Sequence, residues 1–270
     1  MKRVLRGGET VADRETFCLS AFAGHPSVVQ LNGAGAVNLT TGDPFIVMEL
    51  VDGAATLRSR LKRPLTEDET RAYMLPLLRV AAEAHAAGIT HGDISPDNIL
   101  VGPGTARIKL AGFGCATTER PSEDCLGALP YRAPELVTAI GLANGPRADM
   151  WSMGCVMFEL LTGAPLFTPD TPDDLADEAE WLHDAFVEPD DALDVRNLRD
   201  LSKPGRDLLV GLLSFDQDER PTAADALEHR WFTQTPKQRR ATKRRSRRAM
   251  LRRTMRWKAY EEAMPACPCC

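Results

Sequence analysis

Ile89-Thr90-His91-Gly92-Asp93-Ile94-Ser95-Pro96-Asp97-Asn98-Ile99-Leu100 is the stretch that decides how this chain is read. It is followed by Ile108-Lys109-Leu110-Ala111-Gly112-Phe113-Gly114, and then by Tyr131-Arg132-Ala133-Pro134-Glu135. Taken alone, Asp93 is a loop carboxylate suited to capping nearby backbone amides. Its fixed spacing from His91 and Asn98 gives it a second, chemical reading.

In order and spacing these three pieces resemble the protein kinase family, whose pattern is H-R-D-x-x-x-x-N, then D-F-G, then A-P-E. Two letters depart from it. Gly92 stands where the family has Arg, and Gly112 where it has the metal-binding Asp. The resemblance covers about residues 1–232. Asp149-Met150-Trp151-Ser152-Met153-Gly154-Cys155 and Leu160-Leu161-Thr162-Gly163-Ala164-Pro165-Leu166-Phe167 are most similar to the cyclin-dependent kinase branch. It implies an α+β, two-lobed protein kinase-like fold: a truncated β-rich small lobe over 1–50, a mainly α-helical large lobe over 51–236, and a basic tail over 237–270.

The same resemblance implies ATP-dependent phosphorylation of protein Ser/Thr, with ATP and Mg²⁺ as cofactors. Phosphoryl transfer needs positioned phosphates, a metal to neutralise charge, and a carboxylate near the attacking hydroxyl. Asp93 matches the base and Asn98 the second metal ligand. Ser95 replaces the usual Lys that steadies the γ-phosphate. Glu49 and Val51 match the hinge whose backbone would bond adenine, and Leu100 matches the residue beneath it. Glu15 matches the ion-pairing Glu of a helix, with Lys2 as its ATP-contacting partner. Gly7-Gly8 follow Lys2 rather than precede it, so no glycine-rich phosphate cover is expected. Leu19, Leu31, His91 and Phe113 match a hydrophobic spine anchored by Asp149. Glu135 and Arg220 match a buried ion pair.

Gly112 offers no ligand atom, and Mg²⁺ normally requires one or two carboxylates plus phosphate. The resemblance therefore implies a family member with impaired catalysis, or a pseudokinase acting by binding. The alternatives are a slow but active Ser/Thr kinase, and a nucleic-acid-associated protein. Regulation is altered as well. Gly92 removes the Arg that would receive an activation-loop phosphate. Glu123 stands at the phosphorylated Thr, and Ala128 at a Thr bonded to the base. Gly8-Glu9-Thr10-Val11-Ala12-Asp13-Arg14 does not match the branch's cyclin-binding helix, which argues against a cyclin partner.

Outward from this centre, local signals place the elements. A helix is expected over Ala12–Phe22, stopped by Gly24-His25-Pro26. Strands are expected over Val28–Leu31 and Phe45–Leu50, with Gly42-Asp43 turning between them. Thr66 with Glu69 is a capping-box pair opening a long helix that ends at Gly88. Ala148 to Gly163 is apolar nearly all round, so it reads as a central helix. Pro204–Leu213 and Thr222–His229 read as closing helices.

The chain has 270 residues, 43% of them hydrophobic and 26% charged, as in an ordinary globular protein. No apolar run approaches the roughly 18 residues of a membrane span, and the start lacks a signal-peptide core. Seven cysteines without a regular framework suggest reduced thiols, in the nucleus or cytoplasm. The net charge of −5 is divided unevenly: residues 237–258 carry twelve basic residues and no acid, which leaves −17 for the rest. That run admits three readings: a solvated tail, a nuclear-localisation or nucleic-acid patch, or a helix on an anionic membrane surface. With Cys267-Pro268-Cys269-Cys270 it also has the logic of a two-signal lipid anchor.

Overall fold

The computed structural model describes residues 2–3, 8–37, 44–103, 107–118, 126–138, 145–187, 198 and 201–234. The Gly42-Asp43 turn, Glu123 and the basic tail lie outside them.

The fold is α+β. A small sheet holds β1 (Lys2–Arg3), β2 (Leu31–Val37) and β3 (Pro44–Met48) in the order β1-β3-β2, antiparallel throughout. One helix, α1 (Gly8–Ala21), packs on it through Cys18 and Leu19, both buried. Sequence reasoning placed the first strand at Val28–Leu31, and this is corrected. The strand runs on through Gly33-Ala34-Gly35-Ala36, a segment of low strand propensity held by pairing to β3 with two register shifts. Val28 and Val29 instead bridge to Leu110, in the second sheet.

In the second sheet, β4 (Ala55–Thr56), β5 (Ile99–Val101) and β6 (Ile108–Leu110), the 91–98 loop leads into the middle strand, β5. The rest is helical. After the short α2 (Leu57–Arg60), α3 (Glu67–Ala86) opens with the expected capping box: Thr66 accepts from Glu69 N, and Glu69 accepts from Thr66 N. A four-residue α4 (Glu135–Thr138) leads to α5 (Pro146–Thr162), whose residues 148–160 are all buried. Gly163, with φ +78°, ends it. Then follow α6 (Pro172–Val187), α7 (Lys203–Leu212), α8 (Ala223–Glu228) and α9 (Arg230–Thr233). Trp151 stacks on Phe167 with ring centroids 5.8 Å apart. No described helix is long and apolar enough to cross a membrane. Cys18 and Cys155 are buried free thiols, whereas Cys115 is disulfide-bonded, so the expectation of reduced thiols does not extend to it.

Candidate active site

The 91–98 loop is pinned from below by α5. Asp149, 1% exposed, accepts from the main-chain N of His91 at 2.8 Å and of Gly92 at 2.9 Å, and meets His85 Nε2 at 2.9 Å. Burial pushes its carboxyl up, but His85 and the Gly92 amide outweigh this and hold it below its ordinary range. Gly92 turns with φ +75°, a conformation open to glycine.

His91 is buried. Its Nδ1 accepts from Asp93 N at 3.2 Å, which leaves Nε2 to donate to Ala111 O at 3.1 Å. Burial lowers its pKa, so the ring is neutral and serves as a spacer between the two loops. It meets Phe113 edge-on at 4.5 Å, and Phe113 meets Phe22 at 5.6 Å. Leu19 and Phe113 lie in the buried core with Leu31 packed against it, and His91 is buried against Phe113. The turn Phe113–Cys115 nests against α1: a Cβ on Gly114 would stand 3.3 Å from Val11 Cγ1 and 3.7 Å from Glu15 Oε2.

Asp93 has a donor on each carboxylate oxygen. Ala128 N donates to Oδ1 at 2.8 Å, and Asn98 Nδ2 to Oδ2 at 2.7 Å. Asn98 Nδ2 also donates to Asp93 O at 2.8 Å. The amide side chain is therefore turned towards Asp93. It occupies the space that a side chain at position 112 would need, since a Cβ on Gly112 would stand 2.3 Å from Asn98 Oδ1 and 2.5 Å from Cγ. Among the described residues no cluster of three His, Cys, Asp or Glu side chains could hold a metal ion. One neutral amide oxygen, with the adjacent Asp93 carboxylate already engaged by Ala128 N and Asn98 Nδ2, is a poor fit for Mg²⁺.

The nucleotide-side residues are distributed as follows. Glu49 is fixed by its neighbours: its N donates to Gln30 O at 2.8 Å, and Oε1 accepts from Gln30 N at 2.8 Å and Lys109 Nζ at 2.6 Å. Val51 O accepts from Ala54 N at 3.0 Å. Glu49 O and Val51 N are left without a bond among the described residues, an acceptor and a donor two residues apart. Leu100 lies in β5, opposite Lys109 and Thr56. Ser95 is 1% exposed, so its hydroxyl is packed inside rather than presented as a Lys would be. Glu15 is fully buried in α1. Lys2 pairs with Ile46 through its backbone; its side chain lies outside the description.

Sequence reasoning foresaw the Glu135–Arg220 pair, which is bidentate at 2.7 Å for each bond. It missed Arg58. This guanidinium, on α2, bonds Glu159 Oε1 at 2.7 Å, Tyr131 OH at 2.7 Å and Asp97 Oδ2 at 3.3 Å. Tyr131 OH also donates to Glu159. The one available signal was Glu159 itself, a charge within an apolar helix, which requires a partner.

Residues 3–232 match the family model described as protein kinase domain. The chain is 38% identical over 258 residues to cyclin-dependent kinase F-2 of Oryza sativa subsp. japonica, covering 84% of this chain and 78% of that protein. It is 30% identical over 225 residues to death-associated protein kinase of Caenorhabditis elegans, covering 82% of this chain and 15% of that protein. It is 29% identical over 268 residues to cyclin-dependent kinase G-1 of Oryza sativa subsp. indica, covering 87% of this chain and 38% of that protein.

Proposed function

The chain belongs to the protein kinase family, and from that premise we propose that it is a cyclin-dependent-kinase-like member that acts by binding rather than by efficient phosphoryl transfer. The observation that carries this reading is the Asn98 side chain lying where a residue at 112 would project, bonded to Asp93 instead of offered to a metal. ATP and Mg²⁺ are the family's cofactors, but among the described residues no group of three His, Cys, Asp or Glu side chains makes up for the carboxylate that Gly112 lacks. Losing one preorganised electrostatic element typically costs on the order of 10²–10³ in rate.

A second reading, a slow Ser/Thr kinase, is favoured by the packed His91–Phe113 contact and by the two-sided hold on Asp93. Labelling of a generic substrate separates the two. Label transferred only by Gly112→Asp supports the binding role. Label transferred by the native chain and abolished by Asp93→Ala supports the kinase.

A protein partner is part of the proposal. Two similar proteins are named for cyclin dependence, so a cyclin is the first partner to test, although the α1 sequence departs from the branch's. The outer face of α1 presents Phe17, 61% exposed. Binding of nucleic acid or an anionic membrane by residues 237–258, and a place in the nucleus or cytoplasm, rest on sequence alone.

A further inference from the structure

The segment from Leu126 to Arg132 is fastened to the 91–98 loop by main-chain groups. Arg132 donates from Nε to Leu126 O at 3.1 Å and from Nη2 to Gly127 O at 3.0 Å, which holds the start of the segment in a tight curl. Within that curl Gly127 has φ +70°. A Cβ there would stand 2.5 Å from Gly92 O, 3.1 Å from Asp93 Oδ1 and 3.2 Å from Asp93 Cα. Two of these neighbours are backbone atoms and the third is the carboxylate that the segment holds, so no side-chain rotation makes room. The next residue, Ala128, sends its N–H to Asp93 Oδ1 at 2.8 Å. Gly24 makes the comparison: its φ is +80°, yet a Cβ on it would meet nothing within 4 Å.

We infer that Gly127 is a positioning residue for Asp93. Its bare Cα lets the Gly127–Ala128 peptide approach closely enough for a main-chain N–H to turn the carboxylate. On the family resemblance a Thr at 128 would bond this Asp through its side chain. Ala128 has no hydroxyl, and its amide makes the bond. With Asn98 Nδ2 on Oδ2, the carboxylate plane is fixed by one donor on each oxygen, and each oxygen keeps a lone pair for a further donor, such as the hydroxyl of a peptide side chain. The same segment walls a small, open cleft lined by Asp93, Leu126, Ala128, Arg132 and Leu136 among others. The clamp is set by backbone geometry and does not depend on phosphoryl transfer.

Amide hydrogen exchange on the full chain, resolved to the Ala128 N–H, tests this. In the native protein that amide is protected. Gly127→Ala and Asp93→Ala each accelerate its exchange tenfold or more. Asp93→Asn keeps one acceptor oxygen. With its NH₂ turned to the Asn98 side and the Asn98 amide flipped to accept it, that oxygen still serves the Ala128 N–H and restores most of the protection, an outcome that simple loss of packing would not produce. Gly24→Ala carries the same backbone strain without the crowding and leaves Ala128 unaffected. Equal exchange in the native chain and Asp93→Ala overturns the proposal. So does Asp93→Asn exchanging as fast as Asp93→Ala, or Gly127→Ala with full protection. Should Gly127→Ala fail to fold, the two Asp93 variants decide alone.

Discussion

Asn98 and Gly112 share one space: the amide of the first fills the place from which a side chain on the second would project, with Oδ1 2.3 Å from the missing Cβ. Restoring an Asp is thus more than adding a ligand. The backbone at 112, with φ +83° and ψ 43°, is left-handed, which Asp tolerates better than most residues. The collision falls on the end of a side chain that can rotate, at the expense of its bonds to Asp93. Gly112→Asp alone is expected to destabilise the metal-free protein by about 1–3 kcal/mol. In an Asn98→Ala background the same change should cost clearly less, because the two sites are coupled. Urea unfolding of the four proteins checks this; strictly additive effects would contradict the shared space.

Arg220 is 1% exposed and spends its guanidinium on Glu135 and on the carbonyls of Ser214, Arg147 and Phe215. Replacing it with Met leaves Glu135 without its counter-charge in a poorly solvated place. The expected loss is about 3–5 kcal/mol. Denaturant melts measure it, and a loss below about 1 kcal/mol would place the pair among weak surface bridges.

Glu159 depends on Arg58. Its side chain is 5% exposed, and Arg58 and Tyr131 are its two bonded partners. Arg58→Met is expected to cost about 1–3 kcal/mol, the penalty of a buried acceptor stripped of a donor. In a Glu159→Gln background the same substitution should cost much less, as a double-mutant cycle followed by thermal unfolding would show.

The cap of α3 gives a pH signature. Arg63 and Thr66 bond the Glu69 carboxylate and hold it at about 2, against an ordinary 4.5. A lowered folded-state pKa stabilises above the unfolded value, and that contribution disappears as pH falls from 4.5 through about 2. Glu69 is solvent-exposed, so the effect is small. Thr66→Ala should cost about 1 kcal/mol near neutral pH, with the gap to the native chain narrowing in this acid window.

His91 titrates in a different range. Burial keeps the folded ring neutral, while the unfolded chain takes up a proton near the ordinary 6.5. The unfolded state then binds more protons below that pH, so stability is lost as pH falls through 6.5. His91→Phe retains a ring against Phe113 and removes the titration. Its Tm should start lower yet decline less between pH 6.5 and about 5. An equally steep decline in the variant would show that other groups govern acid unfolding.

What could be read in advance follows from how local each signal is. The Thr66–Glu69 cap and the all-apolar run of α5 are written in consecutive residues, and both elements stand close to where they were expected. The Glu135–Arg220 pair and the His91–Phe113 contact were legible through ordered motifs. The strand through Gly33-Ala34-Gly35-Ala36 was not, because its pairing comes from β3 rather than from its own propensity. Nor was the Ala128 N–H on Asp93, a bond made by backbone and hence silent in residue type. The vacancy at 112 was visible as a letter; that Asn98 fills it is a matter of packing.

Nucleotide binding with and without Mg²⁺ tests the central claim most directly. If the family's metal position is lost, ATP shifts the Tm of the purified chain equally in Mg²⁺ and in EDTA, or shifts it in neither. A rise of several degrees that appears only with Mg²⁺ would contradict the account.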